Sequence, residues 1–146
     1  TGTGKTYIAC ALAHKACAMG YQVRYFRLLH FIHDMTVASR EYRLQRFLNN
    51  LMKVDVLVLD DFGMVALDDE QRQLLLEALE QRYDTAATIM TSQLPIEEWY
   101  DAINDAVLAD AILDRIIHQS EKIILKGESV RKLKRSSACT AENNNQ

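Results

Sequence analysis

The most legible stretch of the chain is Val54 to Asp61, VDVLVLDD, a nearly continuous apolar run that ends abruptly in two carboxylates. Such runs belong to parallel strands covered on both faces. Around it the spacing of apolar residues switches repeatedly between helix and strand periods. From Lys5 to about Met19, the residues Ile8, Leu12, Lys15, Ala16 and Met19 share one side, with small Ala and Cys residues around the rest. That pattern predicts a helix buried nearly all round against a sheet. Gly20 is placed as its stop, and Gln22 to Arg27 alternates as a strand. Leu28, Phe31, Ile32 and Met35 mark a second helix, and Leu44, Phe47, Leu48 and Leu51 a third. After the VDVLVLDD strand, Gly63 turns the chain, and Leu75, Leu76, Leu79 and Tyr83 form the stripe of a helix from about Glu70 to Arg82. Ala86 to Met90 predicts another strand, ending at Thr91, Ser92 and Gln93. Pro95 opens a short amphipathic helix in which Trp99 is a packing anchor. Ala109, Ile112, Leu113 and Ile116 share a face of a helix over Leu108 to Ser120, with Arg115 off that face, and Glu121 to Lys126 predicts a last strand. Strands alternating with helices make this an α/β chain with a parallel sheet flanked by helices.

Composition narrows the picture without changing it. With 146 residues, 49% hydrophobic and 25% charged, the chain fits one soluble domain with one sizeable core, residues 1–133, followed by a polar tail over 134–146 that reads as disordered. A net charge of -3 argues against a wholly basic nucleic-acid coat, so DNA contact needs a local patch or another segment. Cys10, Cys17 and Cys139 lack metal-ligand spacing and read as small buried thiols in a reducing compartment. His30 and His33 have no evident third ligand. No apolar run is long enough to cross a bilayer.

The candidate chemistry begins at Thr1-Gly2-Thr3-Gly4-Lys5-Thr6, the back half of the phosphate-binding pattern GxxxxGK[ST]. In that pattern backbone N–H groups curl around nucleotide phosphates, the Lys reaches the β- and γ-phosphates, and the hydroxyl holds Mg²⁺. Asp60, at the end of the apolar strand, would hold the metal through a water shell opposite Thr6. Asp61 either orients the attacking water or caps a turn; behind a Gly-Lys-Thr loop and an apolar strand the first role is favoured. Thr91 and Ser92 end the neighbouring strand, where a hydroxyl can bond the attacking water or the γ-phosphate, although hydroxyls also form turns. Arg115 is either a surface ion pair or an arginine finger serving a neighbouring subunit, and Arg131 is similarly ambiguous within the basic series Lys126, Arg131, Lys132, Lys134 and Arg135.

The blocks TGTGKTYIACALAHKA, VLVLDDFG, TIMTSQLPIEEWY, LADAILDRIIHQ and LKGESVRK resemble the IstB-like ATP-binding proteins, helpers of insertion-sequence transposition and relatives of bacterial helicase loaders. The resemblance runs from Thr1 to about Lys132. It implies a P-loop fold of AAA+ type, ATP and Mg²⁺ as cofactors, Lys5 and Thr6 in Walker A, Asp60 and Asp61 in Walker B, and Thr91 or Ser92 as sensor 1. Arg115 then resembles the finger in trans, and Arg131 a second sensor arginine. The implied partners are double-stranded DNA, a transposase and further copies of the chain, in the cytoplasm. The family pattern also implies an upstream DNA- or partner-binding region, the opening Gly of the loop, and a first strand that lies centrally between 86–90 and 121–126. The expectation is therefore a truncated core with unpaired backbone groups in its sheet, folding poorly or self-associating and hydrolysing little ATP. The other readings are a helicase loader with the same ATPase parts and an interaction module that does not catalyse. A small-molecule kinase is disfavoured by the paired carboxylates and the absence of an acceptor pocket in the pattern.

Overall fold

The computed structural model describes residues 3–118 and 120–125. Three parallel strands, β1 (Val23–Arg27), β2 (Val56–Phe62) and β3 (Ala87–Ser92), form a sheet in the order β1-β2-β3. The helices are α1 (Lys5–Ala18), α2 (Leu28–Arg40), α3 (Leu44–Leu51), α4 (Asp69–Arg82), α5 (Trp99–Ile103) and α6 (Ala106–Ile117), with a 3₁₀ turn at Ile96–Glu98 leading into α5. Each lies within a few residues of the position its periodicity predicts. The helix starts follow local chemistry: Asp68 accepts from the Gln71 backbone N–H at 2.8 Å while the Gln71 side chain accepts from the Asp68 N–H at 3.1 Å, a reciprocal cap for α4. Asp105 caps α6 through the Leu108 N–H at 2.8 Å.

Strand alternation divides the packing into two layers. On one face of β2, Leu57 and Leu59 join Phe31, Ile32 and Met35 of α2, Leu75 and Leu79 of α4, and Ile112 of α6 in the main core. On the other, Val58 is fully buried under Ala9 and Ala13 of α1, with Val23 and Ile89 beside it. Near the end of β2 the alternation breaks. Leu59 stands opposite Met90 but Phe62 stands opposite Ser92, so β2 carries one more residue than β3 in that interval, a β-bulge. Asp61 sits there at φ 66°. The bulge lets Phe62 return to the main core, where its ring meets Trp99 at 4.6 Å between centroids, while Asp60 keeps the α1 face of Val58. Trp99 is buried and donates its indole N–H to Leu94 O at 3.1 Å.

Three expectations are corrected. The helix α1 buries a narrow stripe, Ala9 and Ala13, rather than most of its circumference, because it rests on the sheet by one face only; Leu12 and Met19 are exposed. For the same reason Cys10 and Cys17 are free and exposed instead of buried. Residues 121–125 form no strand. Among the described residues the far edge of β3 has no neighbouring strand, and residues 120–125 and β3 line a common cavity of about 860 Å³ rather than pairing with each other. A strand exists only where a ladder of partners stands about 4.8 Å away, and 121–125 has none. Lys126, the tail over 134–146 and Cys139 lie outside the described residues.

One buried cation ties the layers at the amino ends of the strands. Arg82 is 1% exposed and donates to the carbonyls of Leu51 (2.8 Å), Val54 (2.9 Å) and Ala87 (2.7 Å) and to Thr88 Oγ1 (3.3 Å). Arg82→Leu would strip those buried acceptors of their donor, at about 1–3 kcal/mol for each one left unsatisfied. In urea unfolding the variant is expected to lose about 3 kcal/mol or more, with Arg82→Lys recovering only part because an ammonium cannot fork; a loss under about 1 kcal/mol would refute the tie. Gly63 turns the chain after the bulge at φ 77°, where an added Cβ would meet Leu94 Cδ1 at 2.6 Å. Gly63→Ala is therefore expected to cost about 1–2 kcal/mol from the left-handed backbone alone, read as a lowered thermal midpoint.

Candidate functional site

The site forms where alternation carries three strand residues onto the α1 face at the carboxyl ends of the sheet. Tyr25 follows Val23 on that face of β1, Asp60 follows Val58 on β2, and Thr91 follows Ile89 on β3. Thr6, in the first turn of α1, sits above them. Its hydroxyl bonds both carboxylate oxygens of Asp60, Oδ1 at 3.2 Å and Oδ2 at 3.0 Å. The Tyr25 hydroxyl donates to Oδ2 at 2.6 Å, and the Thr91 hydroxyl donates to Oδ1. Asp60 is 2% exposed, and burial alone would raise its pKa; the hydrogen bonds from Thr91, Tyr25 and Thr6 and the backbone N–H of Asp61 outweigh that, so the carboxyl is held below the usual range. The Tyr25 phenol is pushed up to about 12, by burial first and then by its bond to Asp60 and the charge there.

The loop before α1 is open to an anion. Gly4 precedes the helix at φ 93°, a conformation natural to glycine, and no side chain caps the first turn, so its N–H groups point outward without a side-chain partner. Lys5 donates to Thr3 Oγ1 at 3.2 Å and makes no ion pair among the described residues. A hydroxyl and a carboxylate of hard oxygen character, facing each other at 3.0–3.2 Å beside an ammonium and an uncapped helix start, fit Mg²⁺ with a polyphosphate better than a soft metal. Among the described residues no three His, Cys, Asp or Glu side chains converge on a point. A Mg²⁺ held by Thr6 and Asp60 would fill its remaining positions with phosphate oxygens and water.

The remaining sequence candidates separate. Thr91 reaches Asp60 and also accepts the Asp61 N–H at 3.3 Å, whereas Ser92 does not join the cluster. One step along the strand, Ser92 faces the other way: it is buried, donates to Phe62 O at 2.7 Å and accepts from the Leu94 N–H at 3.0 Å, tying down the turn. Alternation therefore places Thr91, and not Ser92, beside Asp60. The Asp61 carboxylate turns away from Thr6 towards Arg27, Nε to Oδ2 3.9 Å, beside a small cavity of about 150 Å³ that His30 and Met64 also line. Arg115 is remote from the cluster. It pairs with Asp114 at 2.5 Å and Glu80 at 3.5 Å and lies over the Tyr83 ring at 5.1 Å, next to Arg82 and hence at the amino ends of the strands. Gly2 and Arg131 lie outside the described residues.

Tyr25 and Arg27 were missed from the sequence. The alternation of QVRYFR puts Tyr25 on one face, but only the register of β1 against β2, Tyr25 beside Val58 and Arg27 beside Asp60, brings them to the carboxylates.

Known proteins resemble this chain in sequence and in fold. The family of IstB-like ATP binding proteins matches residues 1–138. An insertion sequence ATP-binding protein of Sinorhizobium fredii is 42% identical over 135 residues, covering 92% of this chain and 55% of the relative. The ATP-binding protein of insertion sequence IS21 from Pseudomonas aeruginosa is 38% identical over 143 residues, 97% of this chain and 54% of the relative. The chain thus spans about half the length of these relatives. Among solved structures, the DnaC helicase loader superposes with a TM-score of 0.71 at 27% identity, covering 86% of this chain and 73% of that one. The replication initiator DnaA bound to AMPPCP and single-stranded DNA shares the fold, with a TM-score of 0.66 at 23% identity over 76% of this chain and 35% of that one. No helix among the described residues is long and apolar enough to cross a membrane. With a Gly-Lys-Thr loop, a strand-end carboxylate and a strand-end hydroxyl meeting on an AAA+ sheet, and the family model matching residues 1–138 of this chain, the chain belongs to the IstB-like ATP-binding proteins.

Proposed function

We propose that this chain is the nucleotide-binding core of an ATP-hydrolysing helper of insertion-sequence DNA transposition, one that assembles with further copies on double-stranded DNA and engages a transposase. The observation that carries the reading is the meeting of Thr6, Asp60 and Thr91, from α1, β2 and β3, at the carboxyl ends of the sheet beside Lys5. In open α/β sheets that end is where ligands bind.

In this reading Gly2, Thr3 and Gly4 give the loop its curvature, and Lys5 binds the β- and γ-phosphates. Thr6 and Asp60 hold Mg²⁺, which when bound neutralises charge on the phosphates. Asp61 orients or deprotonates the attacking water. Its pair with Arg27 is long and partly solvated, so releasing it costs little. Thr91 would sense the γ-phosphate, a role its bond to Asp60 supports. Arg115, held over Tyr83 and beside Glu80 near the amino ends of the strands, would act on a neighbour's site, with Arg131 a further phosphate contact. The Arg115 contacts with Glu80 and Tyr83 are the ones a neighbouring subunit would displace.

The helicase loader is the second reading, favoured by the likeness to the DnaC structure. It uses the same ATPase parts and differs in its partner, so pull-downs against a transposase and a replicative helicase separate the two. An interaction module without turnover is the third.

The decisive experiment measures Mg²⁺-dependent ATP binding and hydrolysis by this chain beside a form extended upstream to the length of the relatives. In the extended form Asp61→Asn, a residue that tolerates the left-handed backbone equally well, is expected to cut turnover by about 10²-fold or more while nucleotide binding survives. Lys5→Ala is expected to lose binding itself. Unchanged turnover in Asp61→Asn would remove the enzyme reading, and absence of hydrolysis in the extended wild type would favour the interaction module.

A further inference from the structure

Asp60 receives three hydroxyls, and they are not equivalent. Thr6 straddles the two carboxylate oxygens from an exposed position in the first turn of α1. Tyr25 and Thr91 instead come from the strands on either side of β2, each held in place by a parallel ladder, and each grips a different oxygen: Tyr25 takes Oδ2, Thr91 takes Oδ1. The grip from β1 depends on register. Tyr25 stands opposite Val58, so Asp60 is its diagonal neighbour two residues farther along the same face. That span, roughly 8 Å between backbones from a strand spacing of about 4.8 Å and a rise of about 3.3 Å per residue, is within reach of a long aromatic side chain and too far for a Ser or Thr. The bulge that follows keeps Asp60 on this face, so the phenol and the carboxylate are brought together by backbone geometry rather than by local sequence.

We infer that Tyr25 is a positioning residue of the metal site: by donating to Oδ2 it clamps the Asp60 carboxylate from the β1 side, leaving the edge that faces Thr6 as the one that receives a metal-bound water. The inference rests on the reading that Thr6 and Asp60 hold Mg²⁺ with a nucleotide. Mg²⁺ requires near-ideal octahedral geometry and gives up its waters reluctantly, so a carboxylate that reaches it through water must be held in orientation by something else. Partners of this kind typically contribute a factor of 10–100 in metal affinity. Thr6 cannot fill that role, because it is itself a metal ligand; the two flanking strands can.

The test titrates Mg²⁺ into the extended protein with a fluorescent N-methylanthraniloyl ATP analogue and follows nucleotide affinity. Tyr25→Phe keeps the ring and removes only the donor. Its half-saturating Mg²⁺ concentration is expected to rise about tenfold, while affinity for the nucleotide in EDTA stays within about twofold of wild type. Asp60→Asn is run beside it and is expected to abolish most of the Mg²⁺ dependence, and adding Tyr25→Phe to Asp60→Asn is expected to change nothing further. An unshifted Mg²⁺ midpoint in Tyr25→Phe, with Asp60→Asn still shifted, overturns the role of Tyr25 and leaves the nucleotide site standing. Equal weakening with and without Mg²⁺, or an additive effect in the double variant, also overturns it, because Tyr25 would then act as a general support rather than through the carboxylate. If Asp60→Asn itself leaves the Mg²⁺ dependence intact, the reading of the site fails and the inference with it.

Discussion

A strand covered on both faces can present a carboxylate only where its cover ends, and β2 does this with one extra residue. Up to Leu59 its side chains alternate strictly between the main core and the α1 layer. Without the bulge, continued alternation would send Asp61 into the main core and Phe62 under α1. With it, Asp60 stays with Thr6, Phe62 returns to Trp99, and Asp61 occupies the bulge with a left-handed backbone that an Asp tolerates better than most side chains. The interval places two adjacent carboxylates in different surroundings: one buried and fully hydrogen-bonded, the other half exposed beside Arg27.

Burying Asp60 is costly unless its oxygens are partnered, and the three hydroxyls partner them. They are drawn from α1, β1 and β3, so the site and the packing of α1 on the sheet depend on each other. The apolar contact of α1 is otherwise narrow: two alanines over Val58, with Val23 and Ile89 beside it. A helix held by so narrow a stripe gains from a polar tie at its first turn, where Thr6 meets Asp60. The same narrow stripe leaves the outer side of α1, with Tyr7, Cys10 and Cys17, at the surface.

The opposite end of the sheet is organised by cations. Arg82 gathers the carbonyls of the α3-to-β2 connection and the start of β3, and the adjacent Tyr83 carries Arg115 on its ring. Between the two ends, along the edge of β3 that has no neighbouring strand among the described residues, runs the large cavity, lined by Lys5 and Thr91 as well as by Arg82 and Arg115. Lys5 and Thr91 stand towards the carboxyl ends of the strands, and Arg115, on the Tyr83 ring beyond the end of α4, towards their amino ends.

Much of this was legible in the residues themselves. Helix and strand periods located the elements because burial imposes a period of 3.6 or 2 whatever the neighbours are, and the Gly-Lys-Thr loop and the Asp60-Asp61 pair stood out as candidates because a phosphate-binding pattern carries those groups in that order. What the chain alone did not determine depends on register and on neighbours. Thr91 and Ser92 are equal as hydroxyls until the alternation of β3 is set against β2. Tyr25 and Arg27 are ordinary strand residues until β1 is paired, and Glu121 to Leu125 has a strand's composition but no ladder to join among the described residues. Cys10 and Cys17 look like core residues on a helical wheel, yet how much of α1 is covered depends on what lies against it. The sequence by itself determined which groups are available and the local period they follow; only the tertiary structure decided which of them meet, because hydrogen bonds and burial are made between segments that are far apart in the chain.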